Sequence, residues 1–160
     1  MGWRIVAFFV STFENKIDRK GRISVPAPFR ATLEANHASL FLYHSLLLPC
    51  VEGCGPDRIA QIVDAIDQMD SLSEDVATLT TMLSSAQEMR IDSDGRILLS
   101  DDFIAHAALG DTALFAGIGK SFQIWHPETY RDRVSDARRK AKEVGLPKLT
   151  LSSAPKSGGS

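Results

Sequence analysis

The sequence has little cysteine and no long hydrophobic run. Only Cys50 and Cys54 occur among its 160 residues, so a disulfide framework is excluded and a reducing cytoplasm is expected. The apolar run at residues 5–10 is far shorter than a membrane span and lacks the small-residue cleavage site of a secretion signal. We therefore predict a strand over this run and no membrane partner.

Groupings of metal ligands and catalytic side chains are also scarce. Cys50 and Cys54 have no second cysteine or histidine pair at zinc spacing, which predicts buried or half-buried thiols rather than metal ligands. No nucleophile motif accompanies the four histidines, His37, His44, His106 and His126. The sequence thus predicts no catalytic residues, no metal, no cofactor and no small-molecule substrate, which argues against an enzyme.

Two glycine-containing loops resemble ligand-binding motifs but lack required residues. Gly119-Lys120-Ser121 resembles the end of a phosphate-binding loop, yet that motif needs a glycine where Leu114 stands, and a strand-like segment follows it. The run Asp92-Ser93-Asp94-Gly95 lacks the third oxygen ligand and the closing glutamate of a calcium loop. We expect a simple β-turn at the first loop and no calcium at the second.

The formal net charge is small, -2, but the charges are unevenly distributed. Acidic residues dominate the middle of the chain, at residues 57–75. The first thirty residues instead concentrate the basic side chains Arg4, Lys16, Arg19, Lys20, Arg22 and Arg30. This basic end is a candidate for binding a polyanion, whereas the acidic middle is expected to face water.

The most informative feature of the chain is an internal sequence repeat. Ile-Asp-Arg-Lys-Gly-Arg-Ile at residues 17–23 returns as Ile-Asp-Ser-Asp-Gly-Arg-Ile at residues 91–97. The offset that relates these heptapeptides, here called the repeat offset, also relates Phe29 to Phe103. With 44% hydrophobic residues the chain can bury a core, so we predict two intertwined halves.

Each copy centres on an Asp-x-x-Gly-Arg turn between two isoleucine-bearing segments. Asp18 can accept hydrogen bonds from backbone N–H groups two residues on, and Gly21 can take the positive φ that closes such a loop. The pattern predicts a β-hairpin at the turn, then a strand that ends at Pro26, then a short helix through residues 29–33.

Helices are predicted between and after the two copies. Apolar residues recur at three- and four-residue spacing after Asp57, and Ser73 is placed to cap a second helix. Residues 122–125 predict a strand, and Pro127 suits the first turn of a last helix. The predicted organisation is a first repeat at 8–56, two connecting helices at 57–84, a second repeat at 85–126, a C-terminal helix at 127–144 and a disordered tail at 145–160.

The two turns admit an architectural and a functional interpretation. In the architectural one, Asp18 caps the loop while Arg22 folds back to pair with it, and the turn binds nothing. In the functional one, the first turn projects several long cations from one rigid point, which suits phosphates and guanine edges. The second turn carries Ser93-Asp94 where the first carries Arg19-Lys20, so the functional interpretation favours the first copy.

With both turns laid out, the chain resembles the MraZ family of bacterial transcriptional regulators, of the AbrB-like swapped-hairpin class. The resemblance rests on residues 17–26 and 29–30, on the second turn at 92–96, and on residues 122–125 before the last helix. It implies an α+β fold in which two AbrB-like swapped-hairpin repeats form one pseudo-two-fold, barrel-like β core with peripheral helices.

The resemblance also implies a partner and a biological role. It implies a sequence-specific repressor of the division and cell-wall operon, its own gene included, acting at the nucleoid in the cytoplasm. The expected target is double-stranded promoter DNA with short direct repeats, bound by a ring-forming homo-oligomer. A ring that links many turns raises the effective local concentration of each turn, which suits DNA sites that each bind weakly. Equivalent subunits in a ring present their turns in the same direction, which fits direct rather than inverted repeats.

The predicted interface can be stated residue by residue. The cations expected to contact DNA are Lys16, Arg19, Lys20 and Arg22 of the first turn, with Arg30 as an added phosphate contact. Arg96 is carried over from the family motif. The loop-shaping residues are Asp18, Gly21, Asp92 and Gly95. The alternative that stays open is a ring scaffold or antitoxin-like interaction module that does not bind DNA.

Overall fold

The computed structural model describes residues 8–35 and 39–152, which form eight strands and five helices. The strands are β1 (Thr12–Lys16), β2 (Arg22–Ser24), β3 (Leu40–His44), β4 (Val51–Cys54), β5 (Gln87–Met89), β6 (Arg96–Leu98), β7 (Thr112–Gly117) and β8 (Phe122–Trp125). The helices are α1 (Ala27–Ala35), α2 (Pro56–Asp67), α3 (Glu74–Ser85), α4 (Asp101–His106) and α5 (Pro127–Val144). The fold is therefore mixed α and β, as the sequence predicts.

Six of the strands form one antiparallel sheet in the order β1-β7-β8-β4-β3-β5. Exchanging each first-copy strand for its second-copy counterpart, β1 for β5, β3 for β7 and β4 for β8, leaves this order unchanged. The outermost strands β1 and β5 do not pair with each other, so over the described residues the sheet is open. The barrel-like core expected from the sequence is not found.

The other two strands, β2 and β6, pair with each other across the two copies. Ile23 lies opposite Ile97, its counterpart at the repeat offset. At each end of this ribbon, a backbone hydrogen bond of 2.9 Å reaches the glycine of the other copy's turn. These two three-residue strands thus join the two copies at equivalent positions.

This pairing corrects the local β-hairpin predicted at the first turn. The strands on either side of the turn, β1 and β2, do not pair along their length, because β1 pairs with β7 instead. One isolated bridge, between Ile17 and Ile23, links the two sides of the turn. Burial explains the difference: cross-pairing places Ile23 and Ile97, each 1% exposed, in one apolar cluster with Phe29 and Phe103.

Phe29 of α1 is the aromatic centre of that main core. Its ring centroid lies 5.3 Å from that of Phe9, 5.5 Å from Phe13, 6.2 Å from Phe115 and 5.1 Å from Phe122, mostly at tilted or edge-to-face angles. Such angles suit the charge distribution of aromatic rings. The first copy's short helix is therefore fixed against strands of both copies.

The opposite face of the central strands carries a second, smaller cluster. Trp125 and Cys50 are buried there beside Leu114 and Ala116, and Tyr130 at the start of α5 packs against them. The predicted burial of the thiols is confirmed, since Cys50 and Cys54 are both buried and free. Because apolar residues cover both faces, the middle of the sheet is shielded from water on each side.

Local signals set several element boundaries as predicted. Pro127 is the first residue of α5, and the Ser73 hydroxyl caps α3 by accepting a hydrogen bond of 3.2 Å from the Val76 N–H. The Gly119-Lys120-Ser121 segment is the tight connection between β7 and β8, closed by a 2.9 Å bond from Ile118 N to the Ser121 carbonyl. Residues 120 and 121 form bends in this connection, and a β-turn there stays a prediction.

The chain divides into two compact units, one ending at Tyr130 and one beginning at Arg131. In the second unit the described residues after Val144 form neither helix nor strand. Residues 5–7 of the predicted N-terminal strand, His37 and residues 153–160 of the predicted tail lie outside the described residues. Among those described, no helix is both long and apolar enough to cross a membrane.

Candidate nucleic-acid interface

The first turn is built around the carboxylate of Asp18. Its Oδ1 accepts backbone N–H bonds of 2.9 Å from both Lys20 and Arg22, and its Oδ2 accepts a 2.7 Å bond from the Arg22 Nε. The Gly21 N–H closes the turn onto the Asp18 carbonyl at 3.0 Å, with Gly21 at a φ of +88° that favours glycine. The predicted roles of Asp18 and Gly21 in shaping the loop thus agree with this geometry.

These bonds also affect the charge of the turn. The backbone N–H of Arg22 is the main cause that lowers the pKa of the Asp18 carboxyl below its ordinary value of 3.8, with the Arg22 guanidinium and the Lys20 N–H adding to the effect. Asp18 is therefore ionised at neutral pH and neutralises part of the Arg22 charge. The rest of the turn keeps its positive character.

The second turn repeats this backbone geometry around Asp92. Its Oδ1 accepts N–H bonds of 2.8 Å from Asp94 and 3.0 Å from Arg96, and Gly95 has a φ of +77°. The arginine behaves differently, because Nε of Arg96 lies 3.4 Å from Asp92 Oδ2 without hydrogen-bond geometry while Nη2 bonds Asp94 at 3.0 Å. The Ser-Asp middle of this turn therefore binds its own arginine instead of adding cations.

The four cations of the first turn differ in how exposed their side chains are. Lys16 at the end of β1 and Arg19 and Lys20 at the tip are exposed. Arg22 is only partly exposed, since 36% of its side-chain surface is accessible and its Nε is held by Asp18. The architectural interpretation therefore describes Arg22 correctly as a partner of Asp18, while the side chains of the three exposed cations have no visible part in shaping the turn.

Arg30 does not join the first turn. Its side chain lies across Gly95 of the second turn, so close that a Cβ on that glycine would overlap the Arg30 Nη1. The counterpart of Arg30 in the second copy, Ile104, lies in the same way near Gly21, where a Cβ would be 3.7 Å from its Cδ1. Each short helix thus packs on the turn of the other copy.

A groove beside the second turn contains a cation, Arg90, that lies outside the Asp-x-x-Gly-Arg motifs. The groove measures about 700 Å³, and Arg90 lines it together with Arg30. Arg90 is the counterpart of Lys16 at the repeat offset, so the offset itself is the signal that identifies it. Acidic side chains of Glu34, Glu88 and Asp92 line the same groove, which leaves this surface mixed in charge.

The two turns lie at opposite ends of the β2–β6 ribbon. Val25, which bonds Gly95, is four strand residues from Gly21, so the turns are about 13 Å apart at about 3.3 Å per residue. A substitution at the tip of one turn is therefore not in contact with the tip of the other. Of the two, the first concentrates exposed positive charge at its tip.

A histidine cluster lies apart from both turns. The rings of His44 and His106 stack at 4.4 Å, and His44 Nε2 lies 2.9 Å from an oxygen of Asp102 without hydrogen-bond geometry. Neither histidine Nε2 has a hydrogen-bond partner. Across the described part of the chain, no set of three or more histidine, cysteine or acidic side chains is arranged to hold a metal ion.

Comparison with known proteins gives a consistent result. The family model described as "MraZ protein, putative antitoxin-like" matches residues 82–144. Proteins called transcriptional regulator MraZ are similar over most of the chain. The one from Pelagibacter ubique is 39% identical over 83% of this chain and 87% of its own length. Its counterpart from Gluconobacter oxydans is 36% identical over 96% of both chains. The one from Rhodospirillum rubrum is 40% identical over 74% of this chain and 79% of its own length.

Proposed function

The chain belongs to the MraZ family, and from that premise we propose that it is a sequence-specific, DNA-binding transcriptional regulator and not an enzyme. The first turn is its main contact with double-stranded DNA. The observation that carries the proposal is the separation of tasks in this turn, where Asp18 and Gly21 hold the loop while Lys16, Arg19 and Lys20 stay exposed.

This separation suits contact with a DNA backbone. Exposed lysine and arginine side chains bind phosphates and fix the register of a protein on the duplex, while an arginine can also read guanine in the major groove. We propose such a directed contact for Arg22, which is partly exposed and held by Asp18. The side chain of Arg30, from α1, and that of Arg96 both lie at the second turn, where we propose supporting phosphate contacts for them.

The fold supports a specific view of the repeats. We propose that the two copies are AbrB-like swapped-hairpin units related by a pseudo-two-fold axis. Supporting this, the strands of the two copies alternate symmetrically in the sheet, Ile23 pairs with Ile97, and each short helix lies on the other copy's turn. One consequence is that the DNA-contacting turn is braced by residues from both halves of the chain.

A single turn gives few phosphate contacts, so we propose that the protein binds as a ring-forming homo-oligomer. Binding through about three phosphates has a salt slope near −2.7 and is weak at cellular ionic strength. Several subunits that contact successive direct repeats raise the effective local concentration of each turn. The proposed role is repression of the division and cell-wall operon, its own gene included, at the nucleoid in the cytoplasm.

The experiment that tests this proposal exchanges the middle residues of one turn for those of the other. The variant Arg19→Ser with Lys20→Asp gives the first turn the Ser-Asp sequence of the second, which has the same Asp-centred bonds. We expect its affinity for a duplex from upstream of its own gene, measured by fluorescence anisotropy, to fall about tenfold or more. The matched control, Arg19→Lys with Lys20→Arg, changes the same two positions but keeps both positive charges, and it is expected to keep wild-type affinity.

The outcome also separates the proposal from its rival. A ring scaffold or antitoxin-like module that does not bind DNA is favoured by the Asp18–Arg22 pair, which is architectural, and by the words antitoxin-like in the family description. That alternative predicts weak binding of DNA and the same DNA affinity for both variants. Equal affinity of the wild type and the Arg19→Ser, Lys20→Asp variant, with both folded, would rule out the first turn as the contact.

A further inference from the structure

The α2–α3 pair is strongly acidic. Residues 56–85, here called the acidic helix pair, contain one basic residue, Arg58, against six acidic ones: Asp57, Asp64, Asp67, Asp70, Glu74 and Asp75. The turn cations lie on other elements, so they do not offset this charge locally. The acidic helix pair is therefore a surface that attracts a basic partner.

The same helices leave much of their apolar surface uncovered. Ile66 is the one buried residue of α2, and none of the residues of α3 is buried, although Val76 and Leu79 follow helical spacing. Val63 on α2 is 43% exposed, and Leu72 in the connection is 92% exposed. A surface helix normally buries its apolar stripe, so this pair has the properties of an interface.

A basic segment with matching apolar residues lies at the other end of the chain. Residues 131–151, here called the basic segment, hold seven basic and three acidic side chains. Along its helical part, Val134, Ala137, Ala141 and Val144 recur at alternating three- and four-residue spacing, the seam by which helices pack closely on other helices. Beyond the helix the leucines are exposed, Leu146 by 82%.

We propose that the basic segment of one chain docks on the acidic helix pair of a second copy of the chain. Opposite charge selects the partner, and the small seam and the leucines cover the apolar side chains that the acidic helix pair exposes. The two surfaces are different, so the contact is head-to-tail, and repeating it builds a ring or a filament. This inference rests on the homo-oligomer of the proposed function and names the surfaces that form it.

A second copy fits the basic segment better than a nucleic acid does. Phosphates would satisfy its charges, but they would leave Leu146, Leu149 and Leu151 in water. An acidic surface that is also apolar satisfies both features, and the chain itself carries one. Nucleic acid on the basic segment is the competing outcome of the test below.

The test reverses the charge of each surface separately. Asp64→Lys with Asp67→Lys changes two exposed positions beside Val63, and Arg138→Glu with Lys142→Glu changes two exposed positions beside the α5 seam. A control with the same charge change as the first of these variants, Glu34→Lys with Glu88→Lys, changes two exposed positions outside both surfaces. Mass is measured by sedimentation velocity of the full-length protein, without DNA, and circular dichroism checks the fold.

We expect the wild type and the control to form oligomers and each reversed variant to sediment as smaller species. An equimolar mixture of the two reversed variants regains the wild-type mass, because each now complements the other, and a chain with all four substitutions also assembles. Recovery on mixing cannot come from misfolded chains.

Three results would overturn the inference. Wild-type mass in both reversed variants would mean that other surfaces assemble the chain, and failure of the mixture to recover would mean that the two surfaces do not meet. Unchanged assembly with weakened DNA binding in the Arg138→Glu, Lys142→Glu variant would assign the basic segment to nucleic acid. A monomeric wild type would instead reject the proposed homo-oligomer itself, while DNA binding by the first turn stays measurable by anisotropy.

Discussion

The guanidinium of Arg30, in the first copy, lies across Gly95 of the second and leaves no room for a side chain at that glycine. Both residues have counterparts, Ile104 and Gly21, in the same relation. This contact joins a helix of one copy to the turn of the other. The two copies therefore fold as one body, and each turn depends on both.

Replacing Gly95 should cost stability in two separable parts. In Gly95→Ala the positive φ costs on the order of 1 kcal/mol, and displacement of the Arg30 side chain adds to it. In an Arg30→Ala background only the backbone part remains, so a double-mutant cycle measured by urea unfolding should give a coupling above about 0.5 kcal/mol. Additive effects would contradict the observed packing.

Gly21 should be the less tolerant of the two glycines. A Cβ there would lie 3.0 Å from the backbone oxygen of Leu99, which cannot swing away as the Arg30 side chain can. We expect Gly21→Ala to unfold at lower urea than Gly95→Ala and to weaken DNA binding through the first turn. A smaller loss at Gly21 than at Gly95 would contradict this.

The Asp18 carboxylate should give the turn a pH-dependent stability. Because the pKa of Asp18 is lowered in the folded chain, mainly by the Arg22 N–H, the stabilisation is present above its ordinary value of 3.8 and is lost as the pH falls through the lowered pKa. Asp18→Asn should therefore lower Tm at pH 7. The difference in Tm between the variant and the wild type should disappear below about pH 4. A difference in Tm that stays the same from pH 7 to below about pH 4 would contradict this prediction.

The buried thiols should be inert in the folded protein. Burial raises the pKa of Cys54 to about 12, so almost no thiolate forms at pH 8, and Cys50 is equally inaccessible. We expect a colorimetric disulfide reagent to label neither cysteine until urea unfolds the chain. Rapid labelling of one thiol per chain under native conditions would contradict the burial of β4.

Phe29 should contribute more to stability than most single residues of the chain. Truncation in Phe29→Ala removes four aromatic contacts and should cost about 3–5 kcal/mol. Its counterpart Phe103 is equally buried but has one observed ring contact, with His44. In urea unfolding, Phe29→Ala should therefore be less stable than Phe103→Ala. The reverse order would contradict the claim that Phe29 is the aromatic centre of the main core.

The sequence predicted the turns well because their geometry is local. Asp18 and Gly21 act on backbone groups within four residues, so residue type and spacing suffice to infer the bonds and the positive φ. Helix starts at Ser73 and Pro127 were predictable for the same reason. Capping and turn chemistry can be inferred from a single segment of sequence.

Strand partners were not predictable in this way. A turn between two isoleucine-bearing segments favours a hairpin, and nothing local indicates that β2 pairs with β6 instead. That pairing depends on burying Ile23 with Ile97, a relation between the two copies that no single segment contains. The same non-local arrangement moves Arg30 to the second turn, while Arg90 was within reach of the sequence because the repeat offset makes it the counterpart of Lys16.

The most direct test of the account is the salt dependence of DNA binding by the first turn. The slope of log K against log salt concentration falls by about 0.9 for each phosphate contact that is lost. For each subunit bound, we predict that the Arg19→Ser, Lys20→Asp variant has a slope shallower than wild type by about 1.8. An identical slope for the two proteins on the same upstream duplex would contradict the claim that this turn contacts DNA.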